Sequence, residues 1–208
     1  MKTLLVVIAK EPLPGKAKTR LCPPCTPEQA ASIADAALAD TLAAATATPA
    51  ARHVLLLEGR YDPPAGWHVT AQRGNGLGAR LANGLADTAR AGLATLLIGM
   101  DTPQVTPALL AQIDDGLSHD DAVLGVAADG GWWALALRDP LAGAVLAQVP
   151  MSQPDTGEQT RKALLAQGLS VAPGPMLRDV DTVADLREVA KLCPGGHFAT
   201  LAADLELA

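Results

Sequence analysis

The fold is indicated near the start of the chain, by residues 4–21, which read LLVVIAKEPLPGKAKTRL. The first six of these residues are apolar and rich in branched side chains, which predicts a buried β-strand. Two prolines and a glycine follow, and they predict a stiff loop rather than a helix at the carboxyl end of that strand. Open α/β sheets bind their ligands at this edge, so we expect a binding site at this loop.

Positive charge is concentrated in the same loop. It carries Lys10, Lys16, Lys18 and Arg20, although the whole chain has a formal net charge of −6. Arginine binds a phosphate bidentately and lysine binds it as a point charge, so we predict that Lys18 and Arg20 hold the phosphates of a nucleotide. The alternative is a solvated loop whose charges cluster by chance. The loop is not a P-loop, because the pattern GxxxxGK[ST] is absent.

Length and composition restrict the class of protein. A chain of 208 residues suits a single α/β domain over residues 1–208, long enough to bury a substantial core. The acidic balance outside the first loop argues against a nucleic-acid partner. No apolar stretch approaches the roughly 20 residues that a membrane span needs, and no cleavage site follows the first apolar run. We therefore expect a cytoplasmic protein with neither a membrane nor a nucleic acid as partner.

Strand and helix patterns alternate along the chain. Strand patterns occur near residues 4–9, 53–57, 67–71, 94–99, 122–127, 132–137 and 169–172, and helix patterns near residues 26–46, 77–91, 107–117, 140–148, 155–167, 182–192 and 197–207. Such alternation predicts a mostly parallel sheet with helices on both faces, which is a three-layer α/β/α fold.

A glycine-rich segment follows the predicted third strand. Gly74, Gly76 and Gly78 allow backbone N–H groups to approach a ligand closely, and Arg80 falls in the first turn of the next helix. The spacing is GxGxG, so it does not match the GxGxxG dinucleotide fingerprint. A plain flexible turn explains the glycines equally well.

Aspartates follow several of the predicted strands. Asp101 comes directly after the buried fourth strand, where a carboxylate can hold Mg²⁺ together with substrate phosphates; the alternative is an Asx-turn. Asp129 is a second candidate ligand, although Asp-Gly-Gly is also typical of a hairpin turn. Asp179 and Asp181 share one face of an extended segment and could both point into a site, although the residues after them form a capping box.

The three cysteines do not indicate a disulfide framework. Cys22 and Cys25 have the spacing of metal ligands, and Cys193 with His197 would supply two more zinc ligands if the two segments met in space. The alternative is that both segments, which are rich in proline and glycine, are loop ends without a metal. The chain contains neither G-x-S-x-G nor H-E-x-x-H, so the sequence does not support nucleophilic hydrolase chemistry.

Five motifs occur in order along the chain: K-x-P-x-P-G-x-x-K-T-R-L at 10–21, G-L-G-x-R at 76–80, G-x-D-T-P at 99–103, D-G-G at 129–131 and D-V-D-T-x-x-D-L at 179–186. Over residues 3–192 they resemble the bacterial glycosyltransferase-like family called selenodomain-associated or arsenosugar-biosynthesis transferases. That family is similar to the molybdenum-cofactor guanylyltransferases and the 2-phospholactate guanylyltransferases. The resemblance implies the GT-A nucleotide-diphospho-sugar transferase fold, with a Mg²⁺-bound nucleotide over the first half of the sheet.

The resemblance also implies roles for individual residues. Lys18, Arg20 and Asp101 are the predicted catalytic residues. The predicted nucleotide-binding residues are Lys10, Pro14, Gly15, Lys18, Arg20, Gly76, Gly78 and Arg80, and the predicted ligands of Mg²⁺ or Mn²⁺ are Asp101, Asp129 and Asp181. Two departures from the family pattern stand out. Trp132-Trp133-Ala134 follows the Asp-Gly-Gly motif, which suggests a different acceptor pocket, and residues 22–25 replace an apolar-proline turn.

Together these residues predict a metal-dependent transferase that acts on an activated nucleotide. The dense basic loop favours nucleotidyl transfer, in which a small phosphorylated acceptor attacks a nucleoside triphosphate and pyrophosphate leaves. The label of the resembling family favours glycosyl transfer from a nucleotide sugar to a small acceptor. A non-catalytic nucleotide-binding module is the third alternative.

Overall fold

Seven strands form one sheet in the structure, a computed structural model that describes residues 2–205. The strands are β1 (Thr3–Lys10), β2 (Arg52–Glu58), β3 (His68–Ala71), β4 (Ala94–Gly99), β5 (Ala122–Val126), β6 (Trp132–Leu137) and β7 (Val171–Pro173). Their order across the sheet is β3-β2-β1-β4-β6-β5-β7. The predicted strands are therefore confirmed, with shifts of a residue or two at their ends.

Residues 2–205 also form six α-helices and two 3-10 helices, of which the last two α-helices follow β7 and the others lie between strands. The α-helices are α1 (Pro27–Thr46), α2 (Leu77–Thr88), α3 (Pro107–Gly116), α4 (Thr156–Ala166), α5 (Val183–Leu192) and α6 (His197–Asp204), and the 3-10 helices are Thr19–Leu21 and Pro140–Gln148. The predicted helices are also confirmed. The domain prediction extends to residues 1 and 206–208, and the last helix was predicted to reach Leu207; these positions lie outside the described residues.

The direction of β6 determines which loops meet. It runs antiparallel to both of its neighbours, β4 and β5, whereas every other adjacent pair in the described sheet is parallel. The carboxyl ends of β1, β2, β4 and β5 therefore meet at one edge of the sheet, and β6 begins at that edge with Trp132. The loops that carry the predicted site residues all leave from this edge.

Two apolar layers cover the sheet and explain the continuous apolar run of β1. Leu5 and Val7 pack on one face, in a cluster with residues of α1 and α3. Leu4 and Val6 pack on the other face, in a cluster with residues of α2 and α4. A strand buried on both faces needs apolar side chains at every position, so the expected three-layer α/β/α fold is confirmed.

A third apolar cluster joins the end of the described chain to α1. It includes Ile33 of α1, Leu186 of α5 and Phe198 of α6, each at most 1% exposed. The Asp40 carboxylate accepts hydrogen bonds from the backbone N–H groups of His197 and Phe198, both at 2.9 Å, and so satisfies the start of α6. None of the helices within residues 2–205 combines the length and the apolar character needed to cross a membrane.

The cysteines belong to this third cluster. Cys25 is buried in it, while Cys22 and Cys193 pack against it. Burial raises the pKa of the Cys193 thiol to about 11, which disfavours the thiolate that a metal ion would bind. Within residues 2–205, the group of His, Cys, Asp and Glu side chains close enough to share a metal ion contains neither these cysteines nor His197. The described residues thus do not assemble the zinc site.

A glycine between β5 and β6 brings two site segments into contact. Gly130 has a φ of +89°, and a Cβ atom there would overlap the carbonyl oxygen of Pro154. Its own carbonyl accepts a hydrogen bond of 2.8 Å from the backbone N–H of Gly157. The turn after β5 therefore docks against the start of α4, and only glycine fits at its centre.

We expect Gly130→Ala to lower the free energy of unfolding by about 2–4 kcal/mol, because the new methyl group adds overlap to an unfavourable φ. Urea denaturation measures this loss. Gly168→Ala is the matched control, since Gly168 has a similar φ of +81° but nothing within 4 Å of a Cβ atom. It should lose only about 1 kcal/mol. Equal losses in the two variants would show that the contact with Pro154 does not constrain the turn.

Candidate active site

A cleft of about 630 Å³ lies at the carboxyl edge of the sheet. The ends of β1, β2, β4 and β5 line it, together with the start of β6, the first turn of α2 and the segments 151–156 and 179–181. A smaller cavity of about 240 Å³ shares Lys10, Arg20 and Asp101 with it and extends toward the first loop. The location agrees with the expectation that ligands bind at strand ends.

Three aspartates converge in this cleft. One carboxylate oxygen each from Asp129, Asp179 and Asp181 lies within 4.8 Å of the others. Asp129 and Asp181 were predicted as metal ligands. Asp179 was considered for the site from its spacing to Asp181, but it was not among the predicted ligands. The structure places it in the group, whereas the predicted ligand Asp101 lies beside the group without belonging to it.

Backbone pairing explains why distant parts of the chain meet here. The segment before α5 runs alongside β5, where Ala128 N–H donates to the Leu177 carbonyl at 2.9 Å. It then reaches the end of β4, where Val180 N–H donates to the Asp101 carbonyl at 3.1 Å. The Val180 side chain is buried in the third apolar cluster, so its two neighbours, Asp179 and Asp181, are held facing the cleft region that both line.

Lys18 contacts the carboxylates rather than projecting from the loop. Its Nζ lies 2.6 Å from Asp101 Oδ1 and 3.5 Å from Asp181 Oδ1, and it also donates to the Val180 carbonyl. The side chain is only 5% exposed. Its backbone is left-handed, with φ of 48°, a conformation that non-glycine residues adopt mostly where the surroundings impose it. The conformation of the loop thus directs this ammonium group toward Asp101 and Asp181.

The remaining predicted cations differ in their partners. Arg20 is 70% exposed and its Nη1 lies 2.6 Å from Asp181 Oδ2. Arg80 pairs with Glu58 at the end of β2, and both line the cleft. Lys10 also lines the cleft, is exposed, and donates to the Lys16 carbonyl at 3.0 Å. Among residues 2–205, no carboxylate lies within 4.0 Å of the Lys10 ammonium group.

Four predicted nucleotide-binding residues lie outside both cavities. Pro14 and Gly15 are exposed on the first loop and line neither one. Gly76, which precedes α2 and has a φ of +81°, also lines neither cavity. Gly78 is buried, and a Cβ atom there would overlap the Leu146 carbonyl oxygen. Gly78 therefore packs closely against the 3-10 helix Pro140–Gln148 and does not line the cleft.

The cleft also contains residues that the sequence did not single out. Gln72, after β3, donates through Nε2 to the Ala9 carbonyl at 2.7 Å and to the Leu56 carbonyl at 3.0 Å. Glu58 and Gln72 both stand at strand ends, so the rule that found Lys10 and Asp101 would have found them as well. The segment 151–156 had no such signal, because it follows a 3-10 helix and reaches the cleft only through tertiary packing.

The acidic group changes the ionisation of one of its members. Burial, with a further contribution from the neighbouring Asp129 charge, raises the pKa of Asp179 from 3.8 to about 6. Carboxylate oxygens are the donors that Mg²⁺ and Mn²⁺ favour. Oxygens on one Mg²⁺ ion lie at most about 4.2 Å apart, so a small movement of these three side chains would let them share an ion. The donor set therefore fits a hard divalent cation.

Comparison with known proteins identifies the family. Residues 29–153 match the model of a family described as an uncharacterized protein conserved in bacteria, DUF2064. The chain belongs to the DUF2064 family. The matched residues contain Asp101 and Asp129, while Lys18, Asp179 and Asp181 lie on either side of the match. No curated protein sequence matches the chain. The narrower resemblance to selenodomain-associated transferases stays a prediction.

Solved structures similar to this DUF2064 protein share its fold. A provisionally named nucleotide-diphospho-sugar transferase from Desulfovibrio desulfuricans has a TM-score of 0.87 and 24% identity, over 98% of this chain and 95% of that one. CMP:2-keto-3-deoxy-manno-octonic acid synthetase in complex with CTP has a TM-score of 0.58 and 15% identity, over 99% and 100% of the two chains. Rv0371C from Mycobacterium tuberculosis in complex with manganese has a TM-score of 0.57 and 23% identity, over 91% and 98%.

Removing the Lys18 charge should strengthen the binding of a free metal ion. In Lys18→Met the ammonium group no longer competes for Asp101 and Asp181, so we expect Mn²⁺ without nucleotide to bind about tenfold more tightly, a change of about 1.4 kcal/mol. Electron paramagnetic resonance of free Mn²⁺ measures the affinity. Lys16→Met is the control, because Lys16 is exposed on the same loop and lines neither cavity. Unchanged or weaker Mn²⁺ binding by Lys18→Met would contradict the competition.

The raised pKa of Asp179 makes a prediction about stability. In the unfolded chain this carboxyl ionises near 3.8 and in the folded protein near 6, so its ionisation lowers the stability of the fold as the pH rises through about 6. We expect Asp179→Asn to unfold at higher urea concentration than the unsubstituted protein at pH 7.5. The gain should shrink as the pH falls toward 4, where the folded carboxyl is already neutral.

Asp181→Asn is the matched control for this experiment. Asp181 is paired with Arg20 and Lys18, so the loss of its charge should not stabilise the protein at pH 7.5. A gain for Asp179→Asn that stays the same at pH 7.5 and pH 4 would show that the ionisation of Asp179 is not its cause.

Proposed function

We propose that this protein is a metal-dependent transferase acting on an activated nucleotide, and that its reaction is nucleotidyl transfer from a nucleoside triphosphate to a small acceptor. One observation carries the proposal. Carboxylates from three segments and cations from the first loop converge at the carboxyl edge of the sheet, in the cleft and the smaller cavity beside it, where Lys18 and Arg20 contact Asp101 and Asp181. Paired acidic and basic groups of this kind suit a polyphosphate together with a metal ion.

The solved structures support the coarse form of this proposal. The fold is shared with a synthetase that binds CTP and with a protein that binds manganese. The acidic group supplies donors for such an ion. We propose Asp129, Asp179 and Asp181 as its ligands, with Asp101 beside them because its carboxylate contacts the same ammonium group as Asp181. A bound divalent cation would neutralise charge on the phosphates of the substrate.

The cations of the chain would act by position and charge. Lys10 faces the cleft without a carboxylate partner among the described residues, so it is available to a phosphate group. Lys18 and Arg20 are paired with carboxylates when no ligand is bound, and a polyphosphate would offer them a second set of anionic oxygens. Stabilising the negative charge that develops on the phosphates requires no covalent intermediate, which fits the absence of a nucleophile motif.

The order of the strands suggests how the nucleotide lies. Neighbouring strands are about 4.8 Å apart, so the end of β2 lies about 10 Å from the end of β4. Glu58, Gln72 and Arg80 line the cleft at the β2–β3 end, and Asp101 follows β4. A nucleoside triphosphate spans a comparable length. We place its base near Glu58 and Arg80 and its phosphates near Lys10, Lys18 and Arg20.

Glycosyl transfer is the second candidate function. The observation that favours it is the likeness in fold to the nucleotide-diphospho-sugar transferase, which extends over 98% of this chain. The acceptor would then attack a sugar carbon and a nucleoside diphosphate would leave. The same cations would hold the diphosphate, so the two reactions differ in the donor rather than in the residues that bind it.

Nucleotide binding is the first property to test. A nucleoside triphosphate with Mn²⁺ should raise the melting temperature, because a ligand at 100 times its Kd stabilises the fold by about 2.7 kcal/mol. Lys10→Ala should weaken this binding at least about tenfold, since one charge-assisted hydrogen bond contributes about 1.5–3 kcal/mol. Lys16→Ala is the control and should bind normally. The proposal fails if no nucleotide stabilises the protein, and the role of Lys10 fails if both variants behave alike.

Product analysis then separates the candidate functions. With Mn²⁺ and a mixture of small acceptors, release of pyrophosphate from a triphosphate supports nucleotidyl transfer, and release of a diphosphate from a nucleotide sugar supports glycosyl transfer. Asp101→Ala and Asp181→Asn should abolish the release in either case. Binding without any release, in the unsubstituted protein and in these variants alike, would support a non-catalytic module.

A further inference from the structure

The two halves of the cleft differ in charge. The half in which we place the nucleotide contains Lys10, Glu58, Gln72 and Arg80, and Arg20 lies at its boundary with the other half, where it is paired with Asp181. The other half lies on the side of β5, β6 and α4, and we call it the acceptor half because it is left free by a nucleotide bound as proposed. It contains Asp129, Trp132, Met151, Gln153, Pro154 and Asp179. The lysines and arginines that line the cleft among residues 2–205 lie in the nucleotide half or, in the case of Arg20, at this boundary. The acceptor half contains two of the three clustered carboxylates and none of these cations.

The nearest cations do not compensate this charge. Lys18 is 5% exposed and is held by Asp101 and Asp181, and Arg20 is also paired with Asp181. A divalent cation would balance the charges of Asp129 and Asp179, because Asp181 is already paired, and no lysine or arginine of this half would remain to hold a second anion. A phosphate ester bound in this half would face carboxylates without a lysine or arginine of its own, which is unfavourable in a partly desolvated cleft.

The wall of the acceptor half is apolar. Trp132 is half-buried at the start of β6, and its indole N–H donates to Thr160 Oγ1 of α4 at 3.2 Å. This bond fixes the ring against α4. Met151 and Pro154 line the same half. A fixed indole beside aliphatic side chains binds molecules with an apolar face, such as the C–H face of a sugar, and its ring also attracts cations.

One buried hydroxyl in the cleft has no partner. Thr102 lines the cleft next to Asp101 and is 1% exposed, and its Oγ1 atom makes no hydrogen bond to any of the described residues. An unpaired buried hydroxyl costs about 1–3 kcal/mol, so such groups normally have a partner. The Oγ1 atom itself is shielded from solvent, so a hydroxyl or amino group of a ligand bound at the end of β4 would supply that partner only after the neighbouring side chains move.

We propose that the acceptor of this transferase is an uncharged or cationic molecule with an apolar face and a hydroxyl or amino nucleophile. This rests on the proposed function and replaces the phosphorylated acceptor expected from the sequence. In the reaction, the lone pair of the nucleophile forms a bond to the α-phosphorus and the bond from that phosphorus to the bridging oxygen breaks. Pyrophosphate leaves with the electron pair, and the proton of the nucleophile passes to water.

Charged quenchers of tryptophan fluorescence test the charge of the acceptor half directly. In a Trp67→Phe protein, Trp132 is the tryptophan that quenchers can reach, because Trp133 is only 2% exposed. We divide the Stern–Volmer quenching constant of each ion by its constant for N-acetyltryptophanamide. At equal ionic strength, we expect this ratio to be at least about twofold larger for cesium than for iodide. Negative potential concentrates the cation near the ring and excludes the anion.

Two substitutions in the Trp67→Phe protein test whether the charge of the acceptor half causes this preference for cesium. Gln153→Lys adds a cation to the acceptor half and Asp129→Asn removes an anion from it, so both should lower the cesium-to-iodide ratio, and Gln153→Ala should leave it unchanged. Equal or stronger quenching by iodide overturns the proposal.

The quenching experiment and the nucleotide-binding test can fail independently of each other. If nucleotides stabilise the protein but iodide quenches as well as cesium, the acceptor class is wrong and the transferase proposal stands. If cesium quenches more strongly but no nucleotide binds, the charge of this half is as described, and the molecule that occupies it is not the acceptor of a nucleotidyl transfer.

Discussion

Repulsion between carboxylates is the constraint on which this site depends. Asp101, Asp129, Asp179 and Asp181 lie at the end of one sheet, in a cleft that is partly shielded from water. Like charges so placed must be compensated, protonated or moved apart. The described structure uses two of these means, since Lys18 and Arg20 neutralise Asp101 and Asp181, while the raised pKa of Asp179 favours its neutral form. A metal ion with a polyphosphate would replace both.

Val180 holds two of these carboxylates in place against their mutual repulsion. Its side chain is buried among residues of α1, α5 and α6, its N–H bonds to the Asp101 carbonyl, and its own carbonyl accepts a bond from Lys18. One apolar residue thus anchors the acidic segment to β4, to the first loop and to the helical layer. Packing far from the cleft holds the two flanking aspartates at a spacing that their charges alone would oppose.

The sequence predicted the sheet because its signals are local. The apolar run of β1, the Thr-Pro start of α1 and the capping box before α5 each specify an element without help from distant residues. The strand-end rule placed Lys10, Asp101 and Asp129 correctly at one edge. Partners within the site were harder to predict, because Lys18 meets Asp181 across most of the chain. The close approach of Gly78 to the Leu146 carbonyl was hidden for the same reason, since the two residues belong to distant segments.

The contact between Gly130 and Pro154 links two parts of the site that serve different purposes. The turn after β5 presents Asp129, and the segment that it touches forms the wall beside Trp132. A change in the length of that segment would move the turn, and with it one carboxylate of the acidic group. If residues 151–156 contact the acceptor as we propose, a change of acceptor that keeps Asp129 in place has to preserve the path of the backbone at Pro154. Substitutions of side chains in this segment meet that condition, whereas insertions would break it.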